Sequence, residues 1–256
     1  MITPDILRLV YRNIRVNVDP GNMIILIGIP ALYLVFFGLG VQSMMPSFSS
    51  EGRGYLAFLT PGIMGFQAVT AGLVGGSMLW ADRRFGMLAQ LLVGPFSRLQ
   101  YLFGIILTSM VFGLAGAAVM LLGSYLLIGS LSITIYSTLI MFSIVAVGSI
   151  LFGSLMLLIS AFVRSNNTYT GIQVLIVFVV NFASTVFYPF SSSLPLGMRI
   201  LFMINPLTYV VNLTRDAFLG TITNVDLYQF PLLLFETVVM IGLATRAYIR
   251  SEVSFE

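Results

Sequence analysis

Apolar residues in this chain gather into six long runs, separated by short segments that are polar or rich in glycine and proline. A helix needs about 20 mostly apolar residues to cross roughly 30 Å of hydrocarbon. The runs therefore predict an all-α polytopic membrane protein, a single domain over residues 1–256 with six transmembrane helices. Pro30 predicts a kink in the first helix. The predicted spans are residues 22–44, 56–79, 100–128, 133–162, 170–190 and 229–248.

Residues 1–21 have the pattern of an amphipathic helix rather than that of a cleaved signal. Their apolar residues recur at helical spacing, and their arginines share one face. This predicts an N-terminal interfacial helix whose arginines point toward anionic headgroups. A hydrated leader whose arginines only fix the orientation of the chain is the alternative. The residues concerned are Ile6, Leu9, Val10 and Ile14 on the apolar side and Arg8, Arg12 and Arg15 on the basic side.

A second amphipathic stretch, residues 82–93, follows the second span. Its apolar residues fall at helical steps, and Gly94-Pro95 ends the pattern. This predicts a short helix that lies across the membrane surface. The apolar positions are Phe85, Leu88, Leu91 and Leu92.

Residues 189–228 form the longest stretch between spans, yet they are not simply polar. A run of about 10–14 apolar residues is too short to cross the bilayer and is typical of a re-entrant or interfacial segment. Asn205-Pro206 breaks this run, and a second short helix is predicted around residues 207–219. We therefore expect two short helices that dip into the outer leaflet, with an ordinary extracellular loop as the alternative.

The composition excludes most soluble and catalytic classes. Hydrophobic residues make up 58% of the chain and charged residues only 8%, whereas a soluble domain averages about 25% charged. The chain has no histidine, no cysteine and no lysine, so its twelve basic residues are all arginines. An intramembrane enzyme would need a nucleophile with a base, or a set of metal ligands, and these residues supply neither. The net charge of +3 does not indicate nucleic-acid binding, because the arginines flank the spans.

The arginines are distributed unevenly between the two sides of the predicted membrane. If the N-terminus is cytoplasmic, nine arginines lie inside and three lie outside. The positive-inside rule therefore predicts that both termini of the six-span chain are cytoplasmic. The inside set is Arg8, Arg12, Arg15, Arg83, Arg84, Arg98, Arg164, Arg246 and Arg250, and the outside set is Arg53, Arg199 and Arg215.

No GxxxxGK[ST] motif occurs, and no lysine is present to serve one. Such a loop holds the phosphates of ATP with backbone amides and a lysine. The chain by itself is therefore expected to be neither an enzyme nor a cofactor-binding protein. Energy for transport would come from another polypeptide or from an ion gradient.

Four segments in register with the six spans resemble the membrane subunit of ABC-2 type exporters, the permease class that includes drug-resistance, polysaccharide and lipo-oligosaccharide exporters. The first is the basic leader, and the second enters the second span. The third follows that span on the inside, and the fourth precedes the last span. These segments are residues 1–21; Tyr55–Ile63; Asp82–Leu88 with Gly94–Ser97; and Asn205–Tyr209 with Arg215–Phe218.

The resemblance implies a permease of the cell membrane that exports an amphipathic or lipid-like molecule such as a drug, a lipid or a glycan conjugate. It also implies that the permease is a homodimer. Two copies of a separate ATPase subunit, which bind ATP and Mg²⁺, would dock on its cytoplasmic face. Residues 82–93 would then be the coupling helix, and which of its two arginines matches the family's arginine stays open. The expected contact residues are Asp82, Arg83, Arg84, Phe85, Gly86, Leu88 and Leu91.

Spans 2 and 5 border the path between the two permease copies in this class. Polar side chains in these spans are therefore candidates for the substrate path, with interhelical hydrogen bonding as the alternative for each. The candidates are Gln67, Thr70, Gln173, Asn181, Ser184 and Thr185.

Glu236 is the candidate intramembrane charge, which insertion scales place at a cost of about 2.5–3.5 kcal/mol. A pairing with Arg215 or Arg199 of the re-entrant segment would lower that cost. A proton- or sodium-driven secondary transporter is the alternative function, although one buried carboxylate and no internal repeat disfavour it. The residues assigned to the outer gate are Asn205, Pro206, Tyr209, Arg215 and Glu236.

Overall fold

The computed structural model describes residues 4–44, 54–129, 133–221 and 226–251, and every regular element in these ranges is a helix. The predicted outside loop with Arg53 and the predicted turn at Ser130 lie outside the described residues. The helices are α1 (Pro4–Asn17), α2 (Pro20–Met23), α3 (Ile29–Met44), α4 (Gly54–Arg84), α5 (Met87–Val93), α6 (Arg98–Ile128), α7 (Ile135–Phe162), α8 (Asn166–Phe182), α9 (Leu196–Ile204), α10 (Pro206–Leu219) and α11 (Asp226–Arg250).

Within the described ranges, five helical stretches are long and apolar enough to cross a bilayer, and the bent pair α9 and α10 would make a sixth if it were one broken span. The five are Pro20–Met44, Gly54–Arg84, Arg98–Ile128, Ile135–Phe162 and Tyr228–Arg250. The protein is therefore an all-α, multi-pass membrane protein, as the apolar runs predicted.

The central element is α4, which is buried along nearly its whole length and packs on α6 and α7. Small residues allow these backbones to approach closely. A Cβ placed on Gly72 would lie 2.6 Å from the carbonyl carbon of Phe152 in α7, and one on Gly75 would lie 2.1 Å from Ser109 Oγ in α6. Packing of small residues, rather than a hydrophobic driving force, therefore sets the spacing of this core.

The first span remains one continuous helical stretch although it contains Pro30. A π-helical turn, Ile24–Gly28, joins α2 to α3, and the amide of Ile29 donates to the carbonyl of Ile24. Pro30 follows directly and has no amide hydrogen to donate, so the wider turn takes up the disturbance that a proline causes within a helix. The expected disturbance thus lies just before Pro30.

Contacts between helix ends define one end of the bundle, here named the α1 end. The ion pair of Arg12 with Asp82 places α1 beside the C-terminus of α4. Arg98 at the start of α6 donates to the carbonyl of Ile249 near the end of α11. The nine arginines that the sequence assigned to one side all belong to helix ends or segments at this end.

The predicted fifth span is only partly helical. Helix α8 has 17 residues and ends at Phe182, about 25 Å at 1.5 Å per residue. The next residues form turns, and the backbone there is packed into the protein: Ser184 is fully buried and the Val186 carbonyl lies against Gly62 of α4. Irregular backbone is tolerated at membrane depth where protein covers it. The prediction of an unbroken span over residues 170–190 is corrected accordingly.

Helices α9 and α10, here named the re-entrant pair after the prediction, are two helices as the broken apolar run predicted, with a bend of 77° between them. Asn205 at the apex caps α10 by accepting from the amide of Leu207. Helix α10 packs against the middle of α4 and α7, where Val211 meets Gly65 and Val210 meets Gly148. Further along α10, Arg215 reaches the carbonyl of Phe58 near the start of α4, so α10 runs from the middle of α4 toward the end opposite α1.

Candidate functional site

The side chain of Asp82, in the last turn of α4, is the meeting point of three helices. Arg12 of α1 donates to both of its carboxylate oxygens, with Nη1 2.7 Å from Oδ2 and Nη2 2.9 Å from Oδ1. Tyr101 of α6 donates its hydroxyl to Oδ2 at 2.7 Å. Asn13, next to Arg12, donates to Thr108 of α6 at 3.3 Å. Helix α1 is thereby attached to the end of the central helix through a bidentate, charge-assisted contact.

The hydrogen bond with Asp82 raises the pKa of Arg12 above its ordinary value, against the opposing effect of burial. A raised pKa for an arginine means that the guanidinium stays charged throughout the physiological pH range.

Arg83 points into the protein, toward the end of α7. Its side chain is buried, and Nη1 donates to the carbonyl oxygens of Ser160 at 2.7 Å and Ala161 at 3.1 Å. These are the free carbonyls at the C-terminal end of α7, where a cation is favoured. The expectation that Arg83 contacts a partner's carboxylates is therefore corrected, and its role is to hold α7 against α4.

Arg84 and Phe85 are the exposed residues of this junction. The Arg84 guanidinium lies 5.1 Å from the centroid of Trp80 and 5.8 Å from that of Phe85, and Phe85 is 75% exposed. Of the two arginines between which the sequence left a choice, Arg84 is the one whose side chain faces outward.

The predicted helix over residues 82–93 is interrupted. Residues 82–84 complete α4, Gly86 adopts a left-handed conformation with φ of 70°, and α5 begins at Met87. Leu88 anchors α5 with 1% exposure, and Leu91 packs partly against the same cluster as Leu9. Helix α5 is thus a separate, short element connected to the central helix by one glycine turn.

Gln67 and Thr70 lie inside the protomer rather than on a surface. Thr70 donates its hydroxyl to Gln67 Oε1 and to the Gln67 carbonyl, both at 3.1 Å. Gly116 of α6 makes room for the amide, because a Cβ there would be 2.5 Å from Gln67 Oε1. Both side chains are buried, and Gln67 packs against α6, so neither lines an open surface of the protomer, where the substrate path was predicted.

Gln173 faces a groove between the first span, α4 and α8. Its amide donates to Ser77 Oγ and to the Tyr169 hydroxyl, both at 3.1 Å. The groove has a volume of about 360 Å³ and is mostly apolar. Its lining residues include Asn22, Ile29, Tyr33, Ser77, Gln173 and Phe178.

The remaining predicted path residues are buried near the end of α8. Thr185 donates to Asn212 Oδ1 at 2.7 Å, and Ser184 donates to the carbonyl of Asn181 at 2.6 Å. The side chain of Asn181 is 1% exposed, and neither its nitrogen nor its oxygen has a partner among the described residues. Asn181, Ser184 and Thr185 therefore lie together, while Gln173 lies apart in the groove.

The predicted outer residues connect the re-entrant pair to its neighbours. The Asn205 amide donates to the carbonyls of Val180 and Ala183 at 2.7 Å each, which caps the end of α8. Pro206 occupies the first turn of α10, where its missing amide hydrogen costs nothing. The Tyr209 hydroxyl donates to the carbonyl of Met203 in α9.

Arg215 and Glu236 do not form an ion pair. The Arg215 guanidinium donates to the carbonyl of Thr185 at 2.8 Å and to that of Phe58 at 3.4 Å, and it stacks 3.9 Å from the Phe58 ring centroid. Glu236 Oε2 is buried without a hydrogen-bond partner among the described residues, and no ion pair joins Glu236 to Arg199 there. The expected pairing is therefore wrong, because backbone carbonyls occupy the arginine.

Sequence reasoning missed two residues that build the junction at Asp82. Arg12 was read only as one of three headgroup-facing arginines, and Tyr101 was not singled out. Pairing between segments 70 residues apart leaves no local pattern. A signal existed in Tyr101, because a tyrosine buried near the start of a span needs a partner for its hydroxyl.

Comparisons with known proteins agree with this architecture. The family model for ABC-2 type transporters matches residues 6–219. A protein of Cyanophora paradoxa named as a transport permease, ycf38, is 30% identical over 197 residues, which cover 73% of this chain. The matched part is 64% of that relative, so the chain spans less than two thirds of its length. The chain belongs to the ABC-2 type transporter family.

Proposed function

We propose that the chain is the membrane subunit of an exporter that moves an amphipathic or lipid-like molecule out of the cytoplasm, with ATP hydrolysed by a separate subunit. Family membership supports a transport role. The absence of a lysine and of a phosphate-binding loop in the sequence supports a motor on another polypeptide. The α1 end, which carries nine arginines, would face the cytoplasm of a cell membrane.

The observation that carries the proposal is the position of α5. Its exposed neighbour Phe85 and the outward Arg84 form a small surface at the end of the most buried helix. An ATPase subunit that contacts this surface would move α5, and Gly86 and Asp82 would transmit the movement to α4 and α1. Because α4 packs on α6 and α7, a tilt of α4 must be followed by these two helices.

The groove beside Gln173 supports a second copy of the chain as the other wall of the substrate path. Polar groups that face lipid are costly, and the groove carries Asn22, Ser77, Thr170 and Gln173 on its lining. A second copy would cover these groups and leave an apolar path with a few hydrogen-bonding side chains. Such a lining fits a cargo that is largely apolar with some polar groups.

A photo-cross-linking residue at position 85 tests the docking surface. We expect Phe85 replaced by a photoreactive phenylalanine analogue to capture a protein that contains a Walker A motif and hydrolyses ATP. The same analogue at Tyr136, which is 75% exposed at the opposite end, is the matched control and should capture no such protein. Capture at position 136 and not at 85 would contradict the proposed orientation and docking site. Uphill transport by the chain alone would favour the ion-gradient alternative.

A further inference from the structure

A groove at the α1 end, between the last turns of α7 and α11, gathers four arginines. Arg83 lies at its inner side, and Arg164, Arg246 and Arg250 complete it. The groove has a volume of about 530 Å³, within the range of roughly 300–1,000 Å³ for small-ligand sites. None of its described lining residues carries a carboxylate.

The arginines lie where two candidate spans end. Helix α7 ends at Phe162 and α11 ends at Arg250, which is the level at which lipid headgroups would surround the protein. Arg83 is held in place by the carbonyls of Ser160 and Ala161, which gives the groove one fixed guanidinium. Arg246 and Arg250 occupy successive turns of α11 and are both exposed.

The walls of the groove are apolar on the side of the membrane. Leu158 and Leu243 line it, and Phe162 is 72% exposed and Leu243 47% exposed. A basic floor that continues into an apolar surface suits a molecule with an anionic head and hydrocarbon chains. A free anion would use the arginines and leave the apolar walls uncovered.

We propose that this groove binds the phosphate headgroup of an anionic phospholipid, with its acyl chains along the exposed faces of α7 and α11. Guanidinium groups hold phosphate oxygens through paired, charge-assisted hydrogen bonds. Basic pockets between transmembrane helices bind such headgroups. The proposal does not depend on the ATPase partner, because the groove lies within one chain.

Native mass spectrometry of the purified full chain in mild detergent, titrated with phosphatidylglycerol or phosphatidylcholine, tests the proposal. We expect one phosphatidylglycerol to bind tightly and phosphatidylcholine to bind weakly. The double variant Arg246→Gln with Arg250→Gln should weaken phosphatidylglycerol binding by about fivefold per arginine, about twenty-fivefold in all. A variant with Arg246→Lys and Arg250→Lys keeps the charge but loses the paired hydrogen bonds, so its affinity for phosphatidylglycerol should lie between those of the wild type and the glutamine variant. An unchanged thermal unfolding midpoint of the glutamine variant in detergent shows that its loss of binding is not a loss of folding.

The matched comparison is Arg8→Gln with Arg15→Gln, which removes the same charge from the exposed face of α1. This variant should lose at most weak headgroup contacts of α1 and should keep the one tightly bound phosphatidylglycerol. Equal binding to the wild type and to the Arg246→Gln, Arg250→Gln variant would overturn the proposal. Displacement of the lipid by free glycerol phosphate at equal concentration would also overturn it, because the site would then belong to a soluble anion. No lipid bound to the wild type would do the same and would favour an acidic protein segment.

Discussion

One carboxylate, that of Asp82, connects α1, the central helix α4 and α6. Its two oxygens accept from Arg12 and Tyr101, and the arginine and the aspartate side chains are 26% and 14% exposed. A partly buried, bidentate pair is worth more than an exposed one, because solvent screens it less. The pair formed by Arg8 and Asp5 in α1 offers a comparison, at 3.6 Å with the arginine 73% exposed.

A double-mutant cycle measures this contact. We expect Arg12→Gln and Asp82→Asn, singly and together, to give a coupling free energy of about 1–2 kcal/mol for unfolding in mixed detergent micelles. The cycle of Arg8→Gln with Asp5→Asn should give about 0.5 kcal/mol or less. Equal coupling in the two cycles would show that Asp82 does not attach α1 to the bundle.

Asp82 and its neighbours show which parts of the site the sequence alone could predict. The pattern around Asp82-Arg83-Arg84 identified the segment, since charges that follow a long apolar run mark the end of a span. The pattern did not show that Arg83 points inward and Arg84 outward. Neighbouring residues on a helix face different directions, and the helix that binds Arg83, α7, is distant in sequence. Glu236 was misassigned for the same reason: the carbonyls that hold Arg215 have no signature in the sequence.

The joint between α4 and α5 is a single residue in a left-handed conformation. Gly86 has φ of 70°, and a Cβ at this position would meet no atom within 4 Å. A substitution there therefore changes the backbone preference and nothing in the packing. If α5 transmits movement to α4, the backbone conformation at Gly86 determines how far α4 moves when α5 moves.

A comparison of Gly86→Val with Gly86→Asn separates the effect of the backbone conformation at this position from the effect of adding a side chain. A β-branched residue disfavours the left-handed region by roughly 1–2 kcal/mol, whereas asparagine tolerates it. We expect the valine variant to lose about five- to thirtyfold in ATPase stimulation by the permease, and the asparagine variant to keep most of it. Equal activity of the two variants in the reconstituted complex would mean that the angle at Gly86 has no role in coupling.

Helix α8 shows where a span prediction based on the length of an apolar run fails. Residues 170–190 are apolar enough to be read as one span, yet the helix ends at Phe182. Asn205 of the re-entrant pair caps its last carbonyls, and the backbone that follows is covered by α4 and α10. An apolar run shows that a segment is shielded from water, but it does not show whether lipid or protein shields it. The run therefore does not locate the end of a helix that another part of the chain caps.

The protomer has the form of a compact bundle in which α4 is enclosed and α8 is largely exposed. Val174, Leu175, Phe178 and Val179 of α8 are between 50% and 61% exposed, next to the groove with its polar lining. Two copies that face each other across this groove would enclose a path that one copy leaves open. The proposed dimer therefore predicts which helix lies at the interface.

Because the chain has no cysteine, single cysteines report this interface directly. We expect Val174→Cys or Phe178→Cys to form a dimer with a short thiol-reactive cross-linker in native membranes. Leu126→Cys in α6, a position that is 80% exposed, is the control and should remain a monomer. A dimer through Leu126→Cys alone would place the interface on the other side of the bundle.

Transport by purified components in sealed vesicles is the most direct measurement of the central claim, that this chain is a conduit driven by a motor on another polypeptide. The chain is reconstituted with and without the ATPase subunit captured through position 85, and the accumulation of a fluorescent amphipathic dye is followed against its gradient. The account predicts accumulation only when the subunit and ATP with Mg²⁺ are both present. Accumulation by the chain alone, driven by a proton or sodium gradient, would contradict it.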